Sequence, residues 1–445
     1  MTIARRHSAV ISAGSVAKQN GMWKRSLLIL LSLGYMLLLV AGYREIVVPR
    51  YDYFNMHWAG FSLDNYVAAI LFMVAMVVML PLSCVKFGDV VSWILFYAVF
   101  VPCLVIPIAS GYITQDQGVF FSLWIFVSFI LLRTGHHVIS QGEAIRLPSL
   151  SSKAYGAILV IAWLVIFGVF LAVSGVSLTA TPFGDIYDTR AEYRANVVSQ
   201  NVFMAYSVPL ASKVVNPLLI VLGLRKRNFL LVGMGAVGSW LVFSANAQKS
   251  VLLTAILVPV VYLLLRKRVR IQAAVVSVAF FLLAAASTLS PALMELILRR
   301  TVMVPGLLVG MYVDNFSEHG FVHLGHSIFS GLGPSERLPP GLEVGLNYWG
   351  DPGMAANANF LGDGFANYGY LGMVIFSLIL GCVLGIVDRL TKFTPFPVVV
   401  ASSIGVIFAL IDTALLTSLL THGLLAITLL LALYPRDSES RLDPT

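Results

Sequence analysis

The chain has 445 residues, of which 58% are hydrophobic and only 11% are charged, and its formal net charge is +8. Soluble domains carry about 25% charged residues, so a chain this apolar is expected to need lipid as its solvent. Its basic residues lie in short runs beside apolar segments, a pattern that excludes nucleic acid as the expected partner and favours contact with membrane lipid.

The apolar segments are continuous and about 15–22 residues long, which is typical of membrane-spanning helices and not of β-barrel strands. The predicted fold class is therefore all-α, with about twelve transmembrane helices in one integral membrane domain over residues 1–445. The first apolar run is too long for a signal peptide and is predicted to be retained. In chain order the spans are predicted at about 26–43, 65–84, 90–109, 118–132, 155–175, 202–224, 228–245, 250–265, 271–289, 370–388, 396–413 and 419–434.

The lysines and arginines predict how these spans are oriented. With a cytoplasmic N-terminus, the inside segments hold 20 of the 29 basic residues and the outside loops hold 8. Because short cytoplasmic loops are enriched in basic residues, both termini are predicted to be cytoplasmic. Two larger loops then lie outside, at about 176–201 and 290–369. The second is rich in Gly, Pro, Asn and aromatic residues, and we expect a partly helical loop packed on the membrane domain.

Four arginines in the two outside loops are candidates for binding an anion. Arg190 and Arg194 are four residues apart, so they share a face if this segment is helical, and Arg299 and Arg300 open the second loop. Paired guanidinium groups match phosphate and carboxylate geometry. The alternatives are ion pairs within the first loop and contact of Arg299 and Arg300 with lipid headgroups. The four cations together predict a shared ligand with the charge of a diphosphate.

The second loop contains His319, His323 and His326, whose spacings of four and three residues would align metal ligands on a helix. Gly320 and Gly325 interrupt such a helix, and no Cys or suitably placed carboxylate completes a site. We therefore predict no metal and no other cofactor. A single histidine acting as a hydrogen-bond donor or general base is the favoured interpretation.

The end of the second loop alternates Asn, Asp and aromatic residues with glycine. Amides and carboxylates hydrogen-bond to hydroxyl groups, and aromatic rings pack on the apolar faces of sugars, so Tyr348, Trp349, Asn359 and Asn367 are candidate sugar-binding residues. Asp363 is a candidate acid beside the next helix. The alternative is that these residues only form turns.

Two features lie inside the predicted spans. Lys213 is costly in lipid, so it either serves a function or pairs within the bundle. It is nearly alone at mid-membrane, whereas polar residues crowd the outside loops. Gly381 and Gly385 form a small-xxx-small pair, for which helix packing is the simplest interpretation.

The segment Asn359–Gly372 resembles the signature that closes the large periplasmic loop of bacterial O-antigen polymerases of the Wzy type. The arrangement around it is similar as well, with about twelve helices, an arginine-bearing loop before the sixth and a large outside loop before the tenth. Arg299-Arg300 followed by Pro305-Gly306 also resembles the start of that loop in the family.

This resemblance implies a glycosyltransferase in the bacterial inner membrane that polymerises oligosaccharide repeat units of a surface polysaccharide such as lipopolysaccharide O-antigen. The units are carried on undecaprenyl diphosphate and are joined at the periplasmic face, and a chain-length regulator protein is an expected partner. We expect an inverting, metal-independent transfer. The arginines named above would hold the diphosphate, and the general base would come from Asp363, Asp314 and His326.

Three other functions are compatible with the sequence. An O-antigen ligase would share the architecture, although the His-x7-Glu spacing of its loop is absent here. A transporter or flippase of lipid-linked sugar would need ionisable residues spread through its spans. A binding or assembly protein of the envelope would not need the paired arginines. The crowding of polar residues outside the membrane favours a reaction at the outer surface.

Overall fold

The computed structural model describes residues 2–174, 201–246, 248–332 and 337–436. The chain divides into two compact units. The first unit comprises Met1–Val85, Asp89–Gly135 and Arg270–Gly381, and the second comprises Lys86–Gly88, His136–Val269 and Cys382–Thr445. Each unit is described separately below.

Helices make up nearly all of the first unit. Its regular elements, including three helices that extend beyond its limits, are Thr2–Gly42, Tyr43–Val47, Val48–Tyr51, Asp52–Phe54, Leu63–Met79, Phe87–Leu95, Phe96–Phe100, Val101–Ala109, Gly118–Ser140, Ala273–Leu289, Pro291–Leu293, Met294–Met303, Val304–His319, Ser330–Leu332, Pro340–Trp349 and Phe360–Leu390. One two-residue antiparallel pair, Ser83–Cys84 with Ile271–Gln272, is the β-structure in the described residues.

The second unit is built from shorter and more interrupted helices. They are Ser152–Ser174, Val202–Leu210, Ala211–Val215, Asn216–Lys226, Phe229–Asn246, Lys249–Leu265, Phe396–Ser402, Ile404–Asp412, Leu415–Leu419 and Leu424–Ala432. The turn Ala211–Val215 is π-helical, and Pro209 precedes it inside the helix. Proline lacks the N–H needed for the regular hydrogen-bond ladder, which accounts for the local widening.

The described residues contain nine helices that are long and apolar enough to cross a membrane, and three shorter apolar helices. The all-α membrane fold predicted from the sequence is confirmed, whereas the count of about twelve spans and the periplasmic side of the second loop stay predictions. The prediction of one helix over 396–413 is wrong, since the chain breaks at Ser403 into two short helices. The description as a single membrane domain over 1–445 also stays a prediction.

The apolar helix Pro291–His319 occupies the start of the outside loop, which the sequence predicts to be partly helical. Its second half packs along Val101–Ala109 in the same direction. A Cβ added at Gly306 would lie 2.9 Å from the Pro102 Cβ, and one added at Gly310 would lie 2.9 Å from the Pro107 Cβ. Only glycine permits this approach, which brings the end of the helix beside the loop that follows Ala109.

Hydrogen bonds fix which end of the first unit carries the rest of that loop. Asn55, just after the first long helix, donates to the Tyr348 carbonyl at 2.6 Å, and the Tyr112 hydroxyl donates to the Asn55 carbonyl at 2.9 Å. Asp314 and the helix Pro340–Trp349 therefore lie at the end of the unit where Val101–Ala109 stops. The strand pair lies at the opposite end, because Cys84 leads into the start of Phe87–Leu95.

The helix Phe360–Leu390 contains a sharp turn at Tyr368 and Gly369, where Gly369 has φ +62°. Gly364 and Gly372, on either side of the turn, come into backbone contact because neither has a side chain. Eight residues of continuous helix would separate them by about 12 Å. The segment that resembles the polymerase signature thus folds as a short buried helix reversing into a long one, and the predicted start of a span near 370 matches the second limb.

Gly381 lies so close to Leu132 that a Cβ would collide with the Leu132 carbonyl oxygen, which confirms its predicted packing role. We expect Gly381→Ala to lower the free energy of unfolding by about 1–3 kcal/mol, because one of the two backbones must shift. The matched control is Gly233→Ala, at a helical position with nothing within 4 Å of the added Cβ. Thermal unfolding in detergent, followed by tryptophan fluorescence, measures both, and equal midpoints would contradict the assigned contact.

Candidate functional site

A polar groove lies at the end of the first unit that carries Asp314 and the helix Pro340–Trp349. Its volume is about 350 Å³, in the lower part of the range of about 300–1,000 Å³ typical of small-molecule sites. The last two turns of Val304–His319 form one wall and the end of Pro340–Trp349 forms the other. The lining residues are Asp314, Asn315, Glu318, His319, Asn347 and Tyr348.

A buried amide network holds the two walls of the groove together. Asn315 is 2% exposed, its Nδ2 donates to Glu343 Oε1 at 3.0 Å, and its Oδ1 accepts from Asn347 Nδ2 at 2.6 Å. Arg337 pairs with Glu343 and donates to the carbonyls of the turn that follows His319. Because the Asn347 N–H is engaged with Asn315, its Oδ1 is the free group of that amide.

Tyr348 and Asp314 form the second link across the groove. The Tyr348 hydroxyl donates to Asp314 Oδ2 at 2.5 Å. Burial raises the pKa of Tyr348, and the hydrogen bond to Asp314 and the charge of that carboxylate raise this pKa further. The phenol therefore stays protonated at neutral pH and keeps donating to Asp314. Burial, followed by the charge of Asp314, also raises the pKa of Tyr112.

His319 lies in the groove in a defined tautomer. Its Nδ1 is 2.9 Å from the Asn315 carbonyl oxygen. A carbonyl can only accept, so Nδ1 carries a proton, and whenever the ring is neutral Nε2 has a lone pair. The sequence placed His319 in a row of histidines but did not single it out. The helix ends at His319, and His323 has φ +45°, so the three histidines do not share one helix face.

The three candidate bases do not form one set of contacts. Asp314 lines the groove and bonds to Tyr348. Asp363 contacts Asn367. The Asn367 Nδ2 donates to the Asp363 backbone carbonyl at 2.8 Å and to the Asp363 Oδ1 at 3.2 Å. Asn367 Oδ1 also accepts from the Leu324 N–H at 2.6 Å, which ties Asp363 to the loop that carries His326. His326 Nε2 is buried without a hydrogen-bond partner in the described part of the chain.

The four candidate sugar-binding residues separate in the same way. Tyr348 lines the groove, and Trp349 packs against Phe54 with ring centroids 5.3 Å apart. Asn359 is fully buried and its Oδ1 accepts from the Leu361 N–H at 3.0 Å. Together with the bonds of Asn367, this contact favours the turn-forming role for both asparagines.

Arg299 is buried in the helical turn Met294–Met303, with 9% of its surface exposed. Its guanidinium carbon lies 3.9 Å from the centroid of the Tyr51 ring, a cation–π contact. Its Nε has no hydrogen-bond partner, and within the described residues it forms no ion pair with a carboxylate. Arg300 is exposed. Arg190 and Arg194 lie outside the described residues.

In the second unit, Lys213 is accompanied by other ionisable groups. It lies in the π-helical turn Ala211–Val215 and interacts electrostatically with Asp412, which ends Ile404–Asp412. His422, between the last two helices, also lies within its field. The prediction that Lys213 is nearly alone at mid-membrane is therefore wrong. The residues are distant in sequence, and only the tertiary fold brings them together.

These features define the class as a multi-pass α-helical membrane protein whose first unit carries a polar groove at one end. No protein-family model, no curated protein and no solved structure matches the chain. The resemblance to O-antigen polymerases therefore stays a prediction, and the argument for function depends on the groove and on the buried arginine.

The buried position of Asn315 makes it the test of the groove network. Asn315→Ala removes a partner from both Glu343 and Asn347, so we expect amides of Pro340–Trp349 to exchange about fivefold faster or more, equivalent to about 1 kcal/mol. Glu318→Ala, an exposed change in the same groove, should leave that exchange unchanged. Hydrogen–deuterium exchange with mass spectrometry measures both, and equal exchange in the two variants would contradict the network.

Proposed function

We propose that the protein is a polymerase of undecaprenyl-diphosphate-linked oligosaccharide repeat units, acting at the periplasmic face of the bacterial inner membrane with both termini in the cytoplasm. The support comes from two features of the first unit, a buried arginine that forms no ion pair with a described carboxylate and a groove with the hydrogen-bonding groups of a sugar site. The resemblance of Asn359–Gly372 to the polymerase signature supports the same class.

Arg299 is the observation that carries the proposal. Its Nε is buried without a hydrogen-bond partner, and it forms no ion pair with a carboxylate among the described residues, while Glu295 and Arg299 both interact electrostatically with the Tyr51 hydroxyl. A buried cation of this kind is suited to an anionic ligand that neutralises it. A guanidinium next to a second arginine suits a diphosphate, and Tyr51 fixes its orientation from one face. Arg190 and Arg194 would add to the same anion site if their loop reaches it.

The groove supports the recognition of the acceptor sugar. It offers carboxylates, an amide oxygen and the Nε2 lone pair of His319, and all of these accept hydrogen bonds from hydroxyl groups. In the proposed reaction an acceptor hydroxyl oxygen attacks the anomeric carbon and its proton passes to the base. The bond from that carbon to the phosphate oxygen breaks, and the diphosphate leaves with the electron pair. Attack from the opposite face inverts the anomeric configuration.

Asp314 is the candidate base that the geometry supports best, because of the three candidates it alone lines the groove. Its Oδ2 accepts from Tyr348, which leaves Oδ1 to receive a proton. Asp363 and His326 stay candidates through their connection at Asn367. In this mechanism the chain uses no metal or cofactor, and a chain-length regulator is the proposed protein partner.

The second candidate function is a transporter or flippase of lipid-linked sugar. Lys213, Asp412 and His422 support it, because ionisable residues near interrupted helices are typical of transport pathways. An O-antigen ligase would use the same groove and arginine with a different acceptor. The surface polysaccharide of a deletion strain separates the three. One repeat per chain supports the polymerase, loss of all attached repeats the ligase, and internal accumulation of lipid-linked units the flippase.

The proposal predicts that Arg299→Ala abolishes long polysaccharide chains while the protein level in the membrane stays normal, because the leaving diphosphate loses its cation. Arg190→Ala is expected to act in the same way. Arg50→Ala is the matched control, since Arg50 is an exposed cation one residue from Tyr51. Gel electrophoresis of surface polysaccharide from a complemented deletion strain measures the ladder. A normal ladder with Arg299→Ala, or an equal loss with Arg50→Ala, would refute the role of Arg299.

A further inference from the structure

A series of aromatic side chains in the first unit connects Arg299 with the polar groove. The centroids of neighbouring rings are 5.3–6.2 Å apart, within the range of about 4.5–7 Å that is typical of aromatic contacts. In spatial order, this aromatic series consists of Tyr51, Tyr53, Phe54, Trp349 and Tyr348. The Arg299 guanidinium lies over the first ring, and the last ring lines the groove and hydrogen-bonds to Asp314.

A tight turn after the first long helix brings these rings together. The 3-10 turn Asp52–Phe54 ends at Asn55, which has φ +60°, a left-handed conformation that asparagine adopts more readily than most residues. The Asn55 side chain donates to the Tyr348 carbonyl, so it holds the turn against the end of Pro340–Trp349 and brings Phe54 onto Trp349. Two segments that are 293 residues apart in the sequence thus form one series of rings.

The rings of the aromatic series are accessible to a ligand. All five keep exposed surface, and Tyr53 is 77% exposed. Asp52 and His57 belong to the same turn, are joined at 2.7 Å and are also exposed. A carboxylate is costly against acyl chains, so this surface is suited to water and polar molecules and not to the hydrocarbon core.

Aromatic residues at a membrane surface also serve as anchors in the headgroup region. Each ring of such a belt acts by its own contact with lipid, and anchoring does not require that the rings touch one another or lead to a groove. Ring contacts that continue from a buried cation to a polar groove match a single extended ligand better.

We propose that the aromatic series is a binding surface for an oligosaccharide, whose pyranose rings stack on the exposed ring faces while their hydroxyl groups stay in water. A pyranose is about as large as one aromatic ring, so the series exceeds a single sugar and matches several. The planes of neighbouring rings differ by 36–78°, which provides separate faces for successive sugars and not one flat surface. The inference rests on the proposed function for the roles of its two ends, the diphosphate at Arg299 and the acceptor in the groove.

The experiment measures the binding of tetrasaccharides to the purified full-length protein in lipid nanodiscs by saturation-transfer difference NMR. The probes are maltotetraose, cellotetraose and chitotetraose. Sorbitol is the comparison probe, because it carries hydroxyl groups but has no pyranose face. We expect at least one tetrasaccharide to bind and sorbitol not to bind.

Substitutions of Tyr53 test the stacking, since a side chain this exposed can be replaced without disturbing the fold. Tyr53→Ala is expected to lower the affinity about threefold or more, the contribution of one ring contact. Tyr53→Leu keeps an apolar side chain without a flat face and should lose as much, whereas Tyr53→Phe should keep the wild-type affinity.

The matched control is Trp23→Ala, because Trp23 is a 74% exposed aromatic residue at the other end of the span Gly21–Phe54. It should bind the tetrasaccharide as the wild type does. The inference is overturned if no tetrasaccharide binds, if sorbitol binds equally well, or if Tyr53→Ala has no larger effect than Trp23→Ala. Full affinity in Tyr53→Leu would overturn it as well, since apolar contact would then suffice without stacking.

These outcomes are distinguishable from a failure of the polymerase function. Weaker binding by Tyr53→Ala, together with a normal polysaccharide ladder in the deletion strain, would support the oligosaccharide surface and reject the polymerase. Unchanged binding by Tyr53→Ala, together with loss of long chains in Arg299→Ala, would reject the surface and support the polymerase.

Discussion

Gly306 and Gly310 lie against Pro102 and Pro107, and the position of the groove follows from this contact. In lipid, helices gain nothing from burying apolar surface against each other, so close packing of small residues has to supply the attraction. A side chain at either glycine would push Val304–His319 away from Val101–Ala109. Asp314 and His319 would then lose their fixed positions relative to Tyr112 and the helix Pro340–Trp349.

At the same end of the first unit, the buried polar groups behind the groove are paired with one another. Asn315 satisfies two side chains from one buried amide, and Arg337 neutralises Glu343 behind the groove. What faces the groove is different, because Asp314 and Glu318 have no cation among their described contacts. A polar network whose buried groups are all hydrogen-bonded, and whose groups facing the groove can still accept hydrogen bonds, is suited to an external ligand. Arg299 presents the complementary case of a buried cation that pairs with no carboxylate in the described part of the chain.

The sequence predicted the fold better than the site, for a physical reason. Hydropathy reports the solvent around a segment, so long apolar helices such as Gly118–Ser140 were recognised from composition alone. The helix Pro291–His319 is not predicted as a span, since Glu295, Arg299 and Arg300 interrupt its apolar character. Their environment depends on tertiary neighbours such as Tyr51, which lies about 250 residues earlier in the chain.

The candidate residues show the same limit. Arg299, Asp314 and Tyr348 were chosen because their chemistry suits a sugar diphosphate, and the structure gives each of them a defined environment. The sequence does not predict His319 as a site residue. Its role depends on which ring nitrogen faces the Asn315 carbonyl, and residue spacing carries no information about a tautomer. The sequence does not link Asp412 and His422 to Lys213. Asp412 ends one short helix and His422 follows another, and hydropathy does not resolve the breaks between such short helices.

Because no family model and no solved structure matches the chain, its function has to be argued from the site and not from the fold. Lipid restricts a spanning chain to helices or closed barrels, so unrelated functions converge on bundles of similar appearance and the helices discriminate poorly between functions.

Charged residues discriminate better between functions, because a cation or carboxylate that is buried without a partner in a medium of low dielectric constant destabilises the fold unless a ligand neutralises it. The groove of the first unit is rich in acceptors, which suits hydroxyl donors. A transporter of lipid-linked sugar would need a polar path through the bundle, and the buried ion pair of Arg133 and Asp89 in the first unit is the kind of feature that this alternative requires.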